Sequence, residues 1–180
     1  YLYNVGAKGF FIGANDWGTR ASFSAEKGYW VQITKNATGD TYTLKNEAKG
    51  GNSADCQAVD QIWVDGAGRA GDALWTVTAN EDGSFKLGNT NVEGFLSILP
   101  SKNDTRLYMS SAEEALDEWI AVSKEDYTSY IQIAAQYVQD LAQWEKDYAA
   151  WFKENYKAGE SLLPLAPANW TGAGGDYGGL

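Results

Sequence analysis

The chain contains no histidine, which removes the commonest general base and the commonest transition-metal ligand together. A Ser-His-Asp or Cys-His catalytic arrangement cannot be built from it. Cys56 is the only cysteine, so neither an internal disulfide framework nor a cysteine-based zinc site is available. With no imidazole to activate it, that thiol reads as a small apolar filler. Basic residues are also scarce: 14 Lys and Arg stand against 24 Asp and Glu, a formal net charge of −10. No run of them is long enough to neutralise phosphates in series, which argues against nucleic acid as a partner. Long apolar runs are missing too, so membrane insertion is not expected and no signal peptide is visible. Tyr1 nevertheless falls inside a strand-like run, and a leader is expected ahead of it.

What is present is aromatic. The 180 residues include 8 Trp, 11 Tyr and 6 Phe within a 44% hydrophobic composition, enough for one ordinary domain plus an appendage. That content argues against disorder, and the 20 glycines are therefore assigned to turns.

An internal repeat organises the first two thirds of the chain. Trp30-Val31-Gln32-Ile33-Thr34, Trp75-Thr76-Val77-Thr78 and Trp119-Ile120-Ala121-Val122-Ser123 share an aromatic-then-alternating pattern at spacings of 45 and 44 residues. Leu2-Tyr3-Asn4, Leu44-Lys45-Asn46 and Leu87-Gly88-Asn89 recur in the same phase, 42 and 43 residues apart. A third, less regular marker is aromatic-aliphatic-small: Phe11-Ile12-Gly13, Trp63-Val64-Asp65 and Phe95-Leu96-Ser97. Each unit holds several short runs rich in β-branched and aromatic residues between Gly, Asn and Asp turns, or roughly four strands.

Three four-stranded units over residues 1–123 resemble the β-trefoil, in which three such units close a barrel around a pseudo-three-fold axis. The fold class expected is thus all-β, a β-trefoil with three pseudo-repeats of about 43 residues plus a long C-terminal amphipathic helix. In that arrangement Trp30, Trp75 and Trp119 face a shared core with the repeated leucines. A three-bladed propeller has the same repeat length, but propellers typically need more blades.

After Trp119 the periodicity changes to 3.6. Ser123-Lys124-Glu125-Asp126 reads as a capped helix start, with acidic residues where the dipole favours them. Apolar residues follow from Tyr127 through Tyr130, Ile131, Ala134, Tyr137, Val138, Leu141, Trp144, Tyr148, Trp151 and Phe152 to Tyr156, forming one broad stripe. Gln136, Lys146, Asp147 and Glu154 lie opposite. A helix over 124–158 would be on the order of 50 Å long at 1.5 Å per residue, more than a small domain covers. Its stripe is expected to dock on neighbouring domains of a parent protein, since its polar face is not basic enough for a membrane surface. Residues 159–180 read as a linker.

Recurring polar loops are the candidate ligand contacts. Asn15, Asp16, Trp17 and Arg20 form one, Trp63, Asp65 and Arg69 a second, and Asn103, Asp104 and Arg106 a third. Each sets an acid a few residues before an arginine, and a sugar site needs such acceptors and donors beside an aromatic platform. Trp17 is the first choice for that platform and Trp63 the second. The same residues are also ordinary turn formers and solvated ion pairs. Many β-trefoil proteins are lectins, but the ricin-type family carries Gln two residues before its repeat Trp. Gly28, Ala73 and Asp117 stand there in this chain, so a ricin-like galactose site does not transfer.

Leu-Tyr-Asn-Val-Gly, Asn-Asp-Trp-Gly-Thr-Arg and the helix after the third repeat are similar to trefoil-like modules in large secreted proteins of gut Gram-negative bacteria. That resemblance implies a secreted or surface location. Adjacent Glu113 and Glu114 rarely converge as acid and base, and no catalytic role, cofactor or metal is expected. The expectation is a non-catalytic carbohydrate-binding, lectin-like accessory module that takes a glycan or polysaccharide. The alternative is a structural or protein-interaction domain with no small ligand.

Overall fold

Short runs of alternating or fully apolar residues between turn formers become thirteen short strands in the computed structural model, which describes residues 1–13, 20–46, 52–65 and 73–155. They are β1 (Leu2–Asn4), β2 (Gly9–Ile12), β3 (Ser22–Ser24), β4 (Val31–Lys35), β5 (Tyr42–Asn46), β6 (Asn52–Ser53) and β7 (Asp55–Ala58). Then come β8 (Gln61–Trp63), β9 (Trp75–Ala79), β10 (Phe85–Asn89), β11 (Phe95–Ser97), β12 (Tyr108–Ser110) and β13 (Trp119–Ala121). One helix, α1 (Tyr127–Asn155), follows. The protein is all-β with a C-terminal helix.

The main sheet follows the path β3-β2-β1-β13-β10-β9-β5-β4, with β6 branching from β5, β11 from β10 and β12 from β11; β7 and β8 form their own hairpin. Among the described residues this path does not close into a barrel: β3 and β4 are its two ends. All strand pairs are antiparallel, as short hairpin connections require. The β9–β10 turn uses Gly83 at φ +88°, where a side chain would be strained. Asp82 braces the same turn by accepting from the Ser84 amide and hydroxyl at 3.0 and 2.6 Å.

Register decides which aromatic residues are core. Trp119 pairs with Asn4, Trp75 with Asn89, and Val31, not Trp30, with Asn46. Trp75 and Trp119 are 0% exposed and join Val31, Leu2, Leu44 and Leu87 in one apolar cluster. The buried indoles keep their hydrogen bonds: Trp75 Nε1 donates to the Ala54 carbonyl at 2.9 Å and Trp119 Nε1 to the Leu96 carbonyl at 2.8 Å. Trp30 does not face that core. Successive side chains of a strand point to opposite faces, so a one-residue offset turns it outward. It is half-buried, edge-on to Tyr1 at 5.5 Å, with the Lys124 ammonium 4.4 Å from its ring centre.

The third sequence marker also shifts. Gly88 pairs with Phe95, Tyr3 with Phe10 and Lys45 with Ser53, so the counterparts of Phe95-Leu96 are Phe10-Phe11 and Ser53-Ala54. Trp63-Val64 belongs instead to the return strand of the β7–β8 hairpin, where Val64 is buried.

The hairpins β2–β3, β7–β8 and β11–β12 are joined by backbone hydrogen bonds among residues distant in sequence. The Ala21 amide donates to the Ile62 carbonyl at 2.9 Å, the Phe23 amide to Thr105 at 2.8 Å, and the Met109 amide to Val59 at 2.7 Å. Each hairpin therefore touches both of the others. Isolated bridges Arg20 to Trp63 and Ser22 to Arg106 reinforce the ring.

The chain divides into two compact units, Tyr1–Ile131 and Gln132–Leu180. The helix start is capped as its sequence predicts: the Asp126 amide donates to Ser123 Oγ at 3.1 Å, and that hydroxyl donates to the Asp126 carboxylate at 2.9 Å. In the first unit, Tyr127 stacks on Tyr1 with centroids 3.9 Å apart, and Tyr130 meets Tyr3 edge-on at 4.8 Å. The Tyr127 hydroxyl accepts from the Gly28 amide at 2.7 Å. Tyr3 is 3% exposed and its hydroxyl has no hydrogen-bond partner; burial first, and neighbouring Tyr130 second, push its pKa up to about 12.

In the second unit the stripe of α1 is a ladder of rings. Trp144 stacks on Tyr148 at 5.5 Å, and Tyr148 lies 6.1 Å from both Trp151 and Phe152. These four are half-buried, whereas Val138 is 51% exposed and falls outside the stripe expected for it. The helix is described as far as Asn155, so Tyr156 and residues 157–158 lie outside the described residues, as does the 159–180 segment.

Candidate functional site

Of the ten loop residues singled out from the sequence, Asn15, Asp16, Trp17 and Arg69 lie outside the described residues. Arg20 and Trp63 come together although 43 positions separate them in the sequence. The hairpin ring does this, by bridging the two residues in antiparallel fashion. The Arg20 guanidinium sits 4.7 Å above the Trp63 ring centre and donates through Nη1 to the Asp60 carbonyl at 3.2 Å. A flat cation stacked on indole and tethered at one corner is held in place.

The third loop joins the same ring of hairpins. Arg106 bridges to Ser22, two residues beyond Arg20. Its Nε lies 4.0 Å from Asp104, a loose pair with half of the Arg106 side chain exposed. The other Asp104 oxygen accepts the Arg106 amide at 3.0 Å, which turns the backbone locally. Asn103 is not a contact of this cluster. It takes a left-handed conformation at φ 49° and ends the short 3₁₀ turn Pro100–Lys102 by donating its amide to the Pro100 carbonyl, so its role is geometric. Asp65 is half-buried at the end of its described segment.

Two members were not evident in the sequence. Tyr108 donates its hydroxyl to Asp104 at 2.8 Å, and its pKa is raised first by burial, then by that hydrogen bond and the Asp104 charge. The negative charge of Asp60 acts on Tyr108 in the same direction, and Arg106 opposes it. Asp104, Arg106 and Tyr108 follow one another at the two-residue spacing of an extended chain, and that alternation was the signal for Tyr108. Asp60 carries no such signal, because its links, its backbone carbonyl to Arg20 and its charge to Tyr108, both run to residues distant in sequence. Glu114, the other acid considered, accepts from the Ser101 amide and hydroxyl and braces a turn.

The cluster therefore contains two guanidinium groups, two carboxylates, a phenol and an indole. Its charges balance and it offers both donors and acceptors. A groove lies elsewhere on the sheet. It is open, has a volume of about 380 Å³, runs beside β4 and is lined by Tyr1, Leu2, Trp30, Val31, Ile33 and Val122 among others. It is apolar where the hairpin cluster is polar. Among the described residues no group of three or more acidic or cysteine side chains is arranged to hold a metal ion. No described helix is long and apolar enough to cross a membrane. No protein-family model matches the chain, and no curated protein matches its sequence.

Proposed function

We propose that the chain is a non-catalytic, lectin-like carbohydrate-binding module of a secreted or surface protein, built on a β-trefoil plan of three related units. The observation that carries the ligand reading is Arg20 stacked on Trp63 and hydrogen-bonded to the Asp60 carbonyl, with Asp104, Arg106 and Tyr108 on the hairpin bridged to Ser22. Neutral sugars need donors and acceptors in balance next to an aromatic surface, and this group has both. An anionic polysaccharide would meet a chain of net charge −10, so the ligand is an uncharged glycan. Support for the three-unit plan comes from the recurring pairing of Val31, Trp75 and Trp119 with Asn46, Asn89 and Asn4, and from the mutual bonding of the three hairpins. The similarity to trefoil-like modules of gut Gram-negative bacteria supports the compartment.

A glycan array probed with the whole chain tests the ligand reading. Binding to neutral glycans is expected, and Trp63→Ala or Arg20→Ala should weaken it about tenfold, the value of one aromatic or charge-assisted contact of about 1.4 kcal/mol. Trp17→Ala is the companion variant from the first loop. Silence across neutral plant and host glycans, with the far-UV spectrum of a β fold intact, would reject this function.

A second reading rests on the ring ladder from Trp144 to Phe152, which favours a protein-interaction role for the helix. Substituting those rings leaves glycan binding unchanged if the first reading holds.

A further inference from the structure

Along α1 the side chains that are not exposed recur at alternating steps of three and four residues. Tyr130, Ala134, Tyr137 and Leu141 show the rhythm, which runs unbroken from Tyr127 to Asn155. Apart from Ile131 and Phe152, every other residue of the helix is exposed. The apolar stripe of a lone helix has a period of about 3.6, whereas steps of three and four average about 3.5, the spacing that keeps one helix seam against another. The sheet takes up the first turn of that seam, where Tyr127 and Tyr130 meet Tyr1 and Tyr3. From Ala134 onward the seam belongs to the second unit.

Two further signals lie on the borders of the seam. Ile133 stands on one border, 49% exposed, and Val138 on the other, 51% exposed; among the described residues Val59 is the only other large hydrophobic side chain left exposed. Charge is sorted in the same frame. Every acid of α1 is on a border, Asp140, Asp147 and Glu154 in line with Ile133 and Glu145 in line with Val138, while both lysines, Lys146 and Lys153, fall on the outer side. Gln136 and Gln143 each donate at 2.8 Å and hold the Asp140 and Asp147 carboxylates in place. None of the four acids has an ion-pair partner among the described residues. A second copy of the helix would fit this seam badly. Laid parallel it sets Asp140 against Glu145, and laid antiparallel it sets the row of Asp140 and Asp147 against itself.

We propose that α1 is one half of a two-helix seam whose other half is an amphipathic helix of different sequence, with lysine or arginine along both borders of its apolar stripe. Such a helix packs apolar side chains over Tyr137 and Leu141 and covers Ile133 and Val138. Its cations meet Asp140, Glu145, Asp147 and Glu154, so the acids that keep two copies apart select the partner. The inference rests on the protein-interaction reading of the helix and not on the sugar reading, so a silent glycan array leaves it standing.

Titration of the whole chain with matched synthetic peptides tests it. Each peptide has leucine on the seam of a seven-residue repeat; one carries lysine on both borders, one carries glutamate there, and a control has the lysine peptide's residues in scrambled order. The lysine peptide is expected to bind about tenfold or more tightly than either of the others. Val138→Glu, and Asp140→Lys together with Asp147→Lys, should each weaken that binding about tenfold with the circular dichroism of the chain unchanged, whereas Lys146→Glu on the outer side should not weaken it. Equal binding of the scrambled peptide would overturn the proposal, because attraction of bulk charge would then suffice. Dimerisation of the chain alone at the same concentration would also overturn it, by giving the seam to a second copy. Tighter binding of the glutamate peptide would sink the proposal but leave the interaction reading of the helix in place, and silence from every peptide would sink both.

Discussion

Val31 and the two tryptophans Trp75 and Trp119 each lie opposite an asparagine on a neighbouring strand, and these places are filled with opposite choices of size. Trp75 has Ala54 beside it and Trp119 has Leu96, whereas Val31 shares the core with Phe11. Phe11 with Val31 and Ala54 with Trp75 combine a large residue with a small one and deliver similar volumes, while Leu96 with Trp119 delivers more. The hydrogen bonding adapts as well. The carbonyls of Ala54 and Leu96 accept from indole N–H groups, while the Phe11 carbonyl, whose partner valine has no side-chain donor, accepts from the Tyr29 amide at 3.3 Å. Buried carbonyls at the three places are thus satisfied by donors of different kinds.

The comparison breaks most sharply at the tryptophans. Trp75→Ala or Trp119→Ala should lower stability by about 3–5 kcal/mol, because each removes a fully buried indole and leaves a buried carbonyl without its donor. Urea denaturation measures it, and a loss under about 1 kcal/mol would show that these rings do not share a packed core. Val31→Trp alone should overpack the core around Val31 by about 1–3 kcal/mol, and Phe11→Ala in the same chain should recover part of that loss. Strict additivity in the double-mutant cycle would refute the idea of paired volumes.

Smaller effects are expected on the outer aromatic cluster. Tyr3→Phe should stabilise by about 1 kcal/mol, since it removes a buried hydroxyl that has no partner. The wild-type Tyr3 pKa is raised from 10.0 to about 12, so its contribution is intact below pH 10 and is lost as pH climbs through 12. Alkaline unfolding should therefore shift upward in Tyr3→Phe, and an unchanged midpoint would mean that Tyr3 ionises freely. Trp30→Ala should cost only about 0.5–1 kcal/mol, the worth of a half-buried ring with one cation above it. A loss as large as that of Trp75 would return Trp30 to the core.

Much of this was legible in the sequence. Leu2, Leu44 and Leu87 were readable as core because each is followed two residues on by Asn, and that pairing keeps a constant phase. Trp30 misled because apolar residues occur at 30, 31 and 33, a run that fits either face of a five-residue strand. Only the pairing with Asn46 fixes the register. Trp63 misled for a different reason: its aromatic-aliphatic pattern resembles β11, but it follows the hairpin turn instead of preceding it. The helix cap at Ser123 was readable because its signal is local. Arg20 over Trp63 was not, since that contact is made by hairpins whose residues are joined only in three dimensions.

The bonding of β1 to β13 carries a consequence for synthesis. Leu2 takes Ala121 as its partner, and Val122 donates its amide to the Tyr1 carbonyl. β1 leaves the ribosome well before β13, so although β2 can pair with one of its edges, the other edge waits for Trp119–Ala121 and the sheet cannot be completed in stages from β1. Assembly is held back until nearly the whole β region has emerged, and in that interval the Leu2 and Phe11 side chains remain open to solvent or to a chaperone.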